Sequence, residues 1–135
     1  MTLKPEDRDT LVMLRLLRAK ETMSEVKGNM QMGYWRVVTN RLYYACYYAV
    51  SALLIQNNLT AHTHAGVISQ LGLHFVKKGV ISIEQGKLYR DLFEKRQSSD
   101  YNDWISISEQ DILLLVEPAE KFIVEIENLI HTNCI

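Results

Sequence analysis

The chain has 135 residues, 47% of them hydrophobic, and a formal net charge of -1 at pH 7. That size and apolar content suit a single soluble domain over residues 1–135, and the near-neutral total excludes a sequence-independent cationic coat for nucleic acid. The charge is segregated: eight Lys/Arg stand against three Asp/Glu between Tyr34 and Ser98, and one Lys against six Asp/Glu between Ser108 and His131, so a basic middle either meets phosphate or lies against the acidic end.

Taken in order, the elements read as helices. Pro5 suits a helix start, and Glu6 to Met30 repeats apolar residues at Leu11, Leu14, Leu17 or Arg18, Met23, Val26 and Met30. This predicts an amphipathic first helix whose end is weakened by Gly28, Asn29 and Gly33. Tyr34 to Asn58 follows without a proline. There Val37, Arg41, Tyr44, Tyr48, Ala52 and Ile55 share one stripe, and Tyr43, Tyr47, Val50, Leu53 and Leu54 carry the apolar surface beyond it. A helix apolar over most of its circumference is a central one, wrapped by the others.

A loop through Thr60, Ala61, His62, Thr63 and His64 leads to a third helix over about Ala65 to Lys78, with Val67, Ile68, Leu71 and Phe75 inward and Gly79 at its end. Ser82 and Gln85 have the form of a capping box for a fourth helix running to about Ser99. Leu88, Tyr89, Leu92 and Phe93 form its inner side, and Arg96 and Asp100 end the face begun by Tyr89 and Phe93. After the polar and aromatic loop Tyr101-Asn102-Asp103-Trp104, Ser108 opens a last helix. Its inward residues are Ile112, Leu115, Val116, Ala119, Phe122, Ile123, Ile126 and Ile130, and Pro118 predicts a kink or a break. No segment alternates with period two for long, so the expected fold is all α, an up-and-down bundle of about five helices.

Cys46 lies inside the apolar helix and Cys134 beside the C-terminus, a pair without metal or disulfide spacing, which predicts reduced thiols. The N-terminal segment lacks the apolar core of a secretory signal, and the longest nearly uncharged apolar run, Leu42 to Ile55, is too short to span a bilayer. The expectation is a cytoplasmic protein with no membrane contact.

Chemistry-bearing residues are few. His62 and His64 stand at i and i+2 with no Glu-x-x-His pair to join them, so neither a metal nor another cofactor is expected. His64 also suits a plain hydrogen bond to a neighbouring helix. Arg41, flanked on its stripe by Val37, Tyr44 and Tyr48, is costly to bury without an anion, and Asp100 is its expected partner. Two readings follow. One is a structural Arg41–Asp100 bridge between helices; the other is a groove lined by Arg41, Arg96, Asp100 and Tyr101 that receives phosphate or an acidic group.

Four segments in succession carry a resemblance: Asn40-Arg41 with LYYACYYAVSALL after them, Thr63-His64 before AGV, His74 before FVKKG, and LYRDLFEKRQSSDY from Leu88 to Tyr101. Together they resemble the HEPN (higher eukaryotes and prokaryotes nucleotide-binding) domain over roughly Asp7 to Ile130. The closest likeness is to small stand-alone members encoded beside a minimal nucleotidyltransferase. The resemblance implies a helical homodimer in a toxin-antitoxin-like module, with nucleotide, RNA or the nucleotidyltransferase as partner; the candidate binding residues are Asn40, Arg41, Tyr44 and Tyr101.

In ribonuclease members an Arg and a His separated by four to six residues cleave RNA without metal, and in the toxin subgroup a Tyr just after that His accepts AMP from the partner enzyme. Arg96 and Tyr101 match by position, but Asp100 only approximates the place of the His, and Tyr101 to Asp103 contains none. An ordinary carboxylate is a poor general acid at neutral pH. The chain is therefore a non-catalytic member that binds its partner, an endoribonuclease using Arg96 and Asp100 with His64 as the missing imidazole, or a purely structural interaction module.

Overall fold

A computed structural model describes residues 3–101 and 108–132; the expected loop residues Asn102, Asp103 and Trp104, and also Cys134, lie outside them. Among the described residues every regular element is helical: α1 (Pro5–Met32), α2 (Trp35–Gln56), α3 (His64–Leu71), α4 (Ile83–Tyr101) and α5 (Glu109–Thr132). The all-α bundle is the one the periodicity predicts. Local chemistry sets most boundaries. Pro5 opens α1 with Glu6 and Asp7 in the first turn, where acidic groups complement the free N–H groups. Gly33, at φ 74°, closes it. The Gly33 N–H reaches the Met30 carbonyl and the Tyr34 N–H that of Asn29, the two bonds of a Schellman ending.

The Thr63 hydroxyl caps α3 by accepting the Gly66 N–H at 2.9 Å, and the chain continues from α3 as a π-helical turn, Gly72–Val76. Gly79, at φ 76°, ends this arm as expected. Ser82 accepts the Gln85 N–H at 3.1 Å, but the reciprocal half of the box is absent because the Gln85 side chain turns to Glu125 of α5. Ser108 caps α5 through the Asp111 N–H at 3.1 Å. α5 does not break at Pro118. The proline sits on the exposed side, and Leu114, whose carbonyl loses its i+4 donor, is 75% exposed, so water can take that place.

α2 is the axis, packed by α1, α4, α5 and α3, but its deepest stripe is not the expected one. Val38, Leu42, Tyr43, Ala45, Cys46, Ala49, Val50, Ala52 and Leu53 are wholly enclosed. Val37 is exposed, and Arg41, Tyr44, Tyr48 and Ile55 are half-buried. Small residues at 45, 49 and 52 let neighbouring helices approach, while tyrosines at the margin keep a hydroxyl near water. α1 is likewise turned from the expected register: Val12, Leu16, Ala19, Met23 and Val26 face inward, and Leu14 and Leu17 are 56% and 52% exposed. Both stripes have helical spacing, and Ala19 marks the one that packs closely.

Among the described residues the ion pairs from the acidic α5 to other helices run to α1 and not to the basic middle, through Lys20–Glu127 at 2.5 Å and Lys27–Glu120 at 3.2 Å. No helix of the described residues is long and apolar enough to cross a membrane.

Candidate functional site

The polar interior of the bundle gathers where the first half of α2, the start of α3 and the second half of α4 meet. On α4, Tyr89, Phe93, Arg96 and Asp100 follow one another at helical spacing. Arg96 is the enclosed charge, only 6% exposed. Its guanidinium carbon lies 5.2 Å from the Tyr43 ring centre, 5.4 Å from that of Tyr44, 5.7 Å from that of Phe93 and 5.9 Å from that of Tyr101. Aromatic faces offset part of the lost hydration of such a cation. Its polar partners are weak. Nη1 stands 3.6 Å from Asp100 Oδ2 and 3.5 Å from the Tyr44 hydroxyl, and Nε has no hydrogen-bond partner among the described residues.

A polar chain leads outward from this group. Asn40 Nδ2 donates to Asp100 Oδ2 at 3.1 Å, and Asn40 Oδ1 accepts from Arg41 Nε at 3.0 Å and Nη2 at 2.8 Å. Arg41 also lies 3.8 Å from Glu25 of α1 and stacks over Tyr44 at 5.2 Å. The Arg41–Asp100 bridge is therefore not formed. Arg41 sits at the margin of the bundle where water and Glu25 serve it, while Arg96, one turn before Asp100 on the same helix, takes the carboxylate. The roles are the reverse of the expectation: Arg96 is the buried cation and Arg41 the peripheral one.

His64, in the first turn of α3, turns into the same cluster. Its Nδ1 is 2.6 Å from the Tyr43 hydroxyl, which in turn lies 3.4 Å from that of Tyr89. The imidazole is within 6.0 Å, centre to centre, of Phe93 and 5.1 Å of Tyr47. Burial, then the nearby Arg96 charge, lowers its pKa, so it is neutral at pH 7. Burial pushes the Tyr43 phenol up to about 12 and holds Tyr89 well above its ordinary value, so both keep their protons.

Asn40, Arg41, Tyr44, His64, Arg96, Asp100 and Tyr101 thus share one connected neighbourhood, with Tyr101 75% exposed at the end of α4. His62 is exposed on the loop before it. Among the described residues no three His, Cys, Asp or Glu side chains converge as a metal site requires. Sequence reasoning missed Tyr43, Tyr89 and Phe93 as members of the site, although Tyr89 and Phe93 precede Arg96 on one helical face. A chemical signal existed: a tyrosine predicted to be deeply buried needs a hydroxyl partner. The arrangement supplies a fixed cation with an unpaired N–H, hydroxyl and imidazole groups beside it, and a phenol at the rim, which is chemistry suited to an oxyanion.

Comparison with known proteins agrees in kind. The family model described as HEPN domain matches residues 12–129. A UPF0332 protein of Thermotoga maritima is 35% identical over 84% of this chain and 86% of its own. A protein of Methanocaldococcus jannaschii named "Putative toxin" is 31% identical over 78% of each chain. A second protein of that name from the same organism is 24% identical over 81% of this chain and 75% of its own.

Proposed function

The chain belongs to the HEPN domain family, and on that premise we propose that it is the HEPN component of a toxin-antitoxin-like module whose Arg96 cluster receives a phosphate of RNA or of a nucleotide. It works as a cytoplasmic homodimer with a minimal nucleotidyltransferase as its partner. One observation carries the reading: Arg96 is charged, more than nine-tenths buried and incompletely paired. A buried guanidinium in that state stays costly until an anion completes its hydrogen bonds. The names of two relatives support the toxin side of the module.

Tyr101, exposed beside Arg96, is the acceptor in the regulatory step. Its phenol oxygen bonds to the α-phosphorus of ATP on the partner enzyme, the bond to pyrophosphate breaks, pyrophosphate leaves and the phenol proton passes to solvent. Arg96 beside it draws the nucleotide phosphate to the site and is blocked once the AMP is attached.

Co-expression with the nucleotidyltransferase encoded next to it, followed by native and intact mass measurement, tests the partner. A complex, a dimeric HEPN chain and one added AMP lost in Tyr101→Phe are expected; no complex and no AMP would overturn it. Induction of the chain alone tests the toxin: growth arrest that Arg96→Ala relieves is expected, and arrest unchanged by that substitution would remove Arg96 from the site.

The proximity of His64 to Arg96 favours a second reading, a metal-independent endoribonuclease in which His64 stands in for the absent motif histidine. RNA cleavage in excess chelator, lost in both Arg96→Ala and His64→Gln, is its signature.

A further inference from the structure

We propose that Tyr89 and Tyr43 form a hydroxyl relay that holds His64 as the neutral tautomer with its proton on Nε2, so that His64 serves beside Arg96 as a donor to phosphate and not as a proton acceptor. The donor role rests on the reading of the cluster as a phosphate site; the relay itself rests on proton counting.

Tyr89 and Tyr43 are both fully enclosed. Among the described residues the Tyr89 hydroxyl has one hydrogen-bond partner, the Tyr43 hydroxyl at 3.4 Å, and Tyr43 has a second, His64 Nδ1 at 2.6 Å. Each phenol brings one proton, and a buried O–H without an acceptor is strongly disfavoured. If Nδ1–H donated to Tyr43, Tyr43 would donate to Tyr89, and the Tyr89 proton would have no acceptor.

The opposite order leaves nothing unmet: Tyr89 O–H donates to Tyr43, Tyr43 O–H donates to Nδ1, and the single proton of the neutral ring lies on Nε2. Both phenols remain protonated throughout the neutral range, so the order is not scrambled by ionisation. The charged group facing His64 is Arg96 of α4, which disfavours an imidazolium and leaves the Nε2–H form in place. Nε2 makes no hydrogen bond to the described residues and is open to solvent, whereas Arg96 Nε is enclosed without a partner among them. A phosphate oxygen that takes the Nε2 proton completes a donor that otherwise only water serves. In this state Nδ1 is occupied and Nε2 is protonated, so neither nitrogen is free to remove a 2′-hydroxyl proton. Tyr43 and Tyr89 are therefore positioning residues for His64.

The test is long-range ¹H–¹⁵N correlation on the full-length protein labelled at histidine, which reports the tautomer without any substitution. A pyridine-like Nδ1 and protonated Nε2 on His64 are expected. The opposite tautomer in the wild-type protein overturns the relay. Tyr43→Phe should release the ring to a mixture of tautomers and Tyr89→Phe should do so in part, both with circular dichroism unchanged; a tautomer indifferent to either substitution also counts against the relay. Titration with 5′-AMP separates the two layers of the argument. Binding that shifts the Nε2 resonance and weakens about tenfold in Tyr43→Phe, the effect of roughly one hydrogen bond, supports the donor role. If the Nε2–H tautomer is present and AMP moves no resonance of His64, the phosphate reading falls and the donor role with it. If AMP binds while His64 is Nδ1–H, the relay alone is overturned.

Discussion

Arg96 and His64 are held in states that the fold alone does not reward. Arg96 is enclosed with a carboxylate at 3.6 Å, a hydroxyl at 3.5 Å and an empty Nε. Removing one partner of a buried ion pair is costly when the other is left unpaired, but Asp100 keeps the Asn40 amide and reaches water. Arg96→Met is therefore expected to change stability by no more than about 1–2 kcal/mol, while abolishing AMP binding and growth arrest. Urea denaturation beside the toxicity assay checks this, and a loss above about 2 kcal/mol would make Arg96 a structural residue.

For His64, burial and Arg96 lower the folded-state pKa below that of the unfolded chain. Between those two values the unfolded chain binds the proton and the folded one does not. The His64 contribution is thus fully present above the unfolded value near 6.5, and it is lost as pH falls through the folded value. Wild type should accordingly lose stability relative to His64→Gln as pH drops below about 6.5. Parallel stability curves for the two from pH 7.5 to 5 would contradict this.

At the scale of the element, single side chains govern where helices begin and end. Thr63 caps α3 through the Gly66 N–H, so Thr63→Ala should cost about 1 kcal/mol. Because His64 is the next residue, the same change should broaden its ring resonances. Pro118 interrupts the hydrogen-bond ladder of α5 on an exposed face. Pro118→Ala restores a donor to the Leu114 carbonyl and should stabilise the chain by about 1–3 kcal/mol in chemical denaturation.

The caps and glycine endings were legible beforehand, since Ser82, Ser108, Gly33 and Gly79 act within three or four residues of themselves, whereas the break offered for Pro118 did not occur. Register was not legible. α1 carries Leu11, Leu14 and Leu17 on one side and Val12, Leu16, Ala19 and Val26 on another, and periodicity fits both; only contact with α2 selects the second. α2 is enclosed around so much of its surface that no stripe stands out, and the one chosen by apolar spacing is, apart from Ala52 and the exposed Val37, the half-buried margin.

Across the whole molecule the site is a product of long-range pairing. Tyr43 and His64 are 21 residues apart, Tyr43 and Tyr89 46, and Asn40 and Asp100 60. No local pattern joins them, so the sequence announces the candidates Arg96, Asp100, Tyr101 and His64 but not that Arg96 takes the interior place expected of Arg41. The same long-range packing decides what holds the bundle. The ion pairs from α1 to α5 use Lys20 and Lys27, whose side chains are more than half exposed. Such pairs contribute about 0–1 kcal/mol each and are screened by salt.

Phe122, by contrast, is buried between α5 and the axis with its ring stacked 5.9 Å from that of Tyr89. It stands directly behind the tyrosine relay. Phe122→Ala should cost about 3–5 kcal/mol and, by letting Tyr89 shift, also disturb the His64 tautomer. Lys27→Ala should cost less than about 1 kcal/mol and leave His64 untouched. Urea midpoints of both variants at low and at 1 M salt, with the His64 resonances read alongside, separate the contributions. A marked salt-dependent loss in Lys27→Ala would mean that the helices are held by charge, and an unshifted His64 in Phe122→Ala would mean that the relay is anchored without the core behind it.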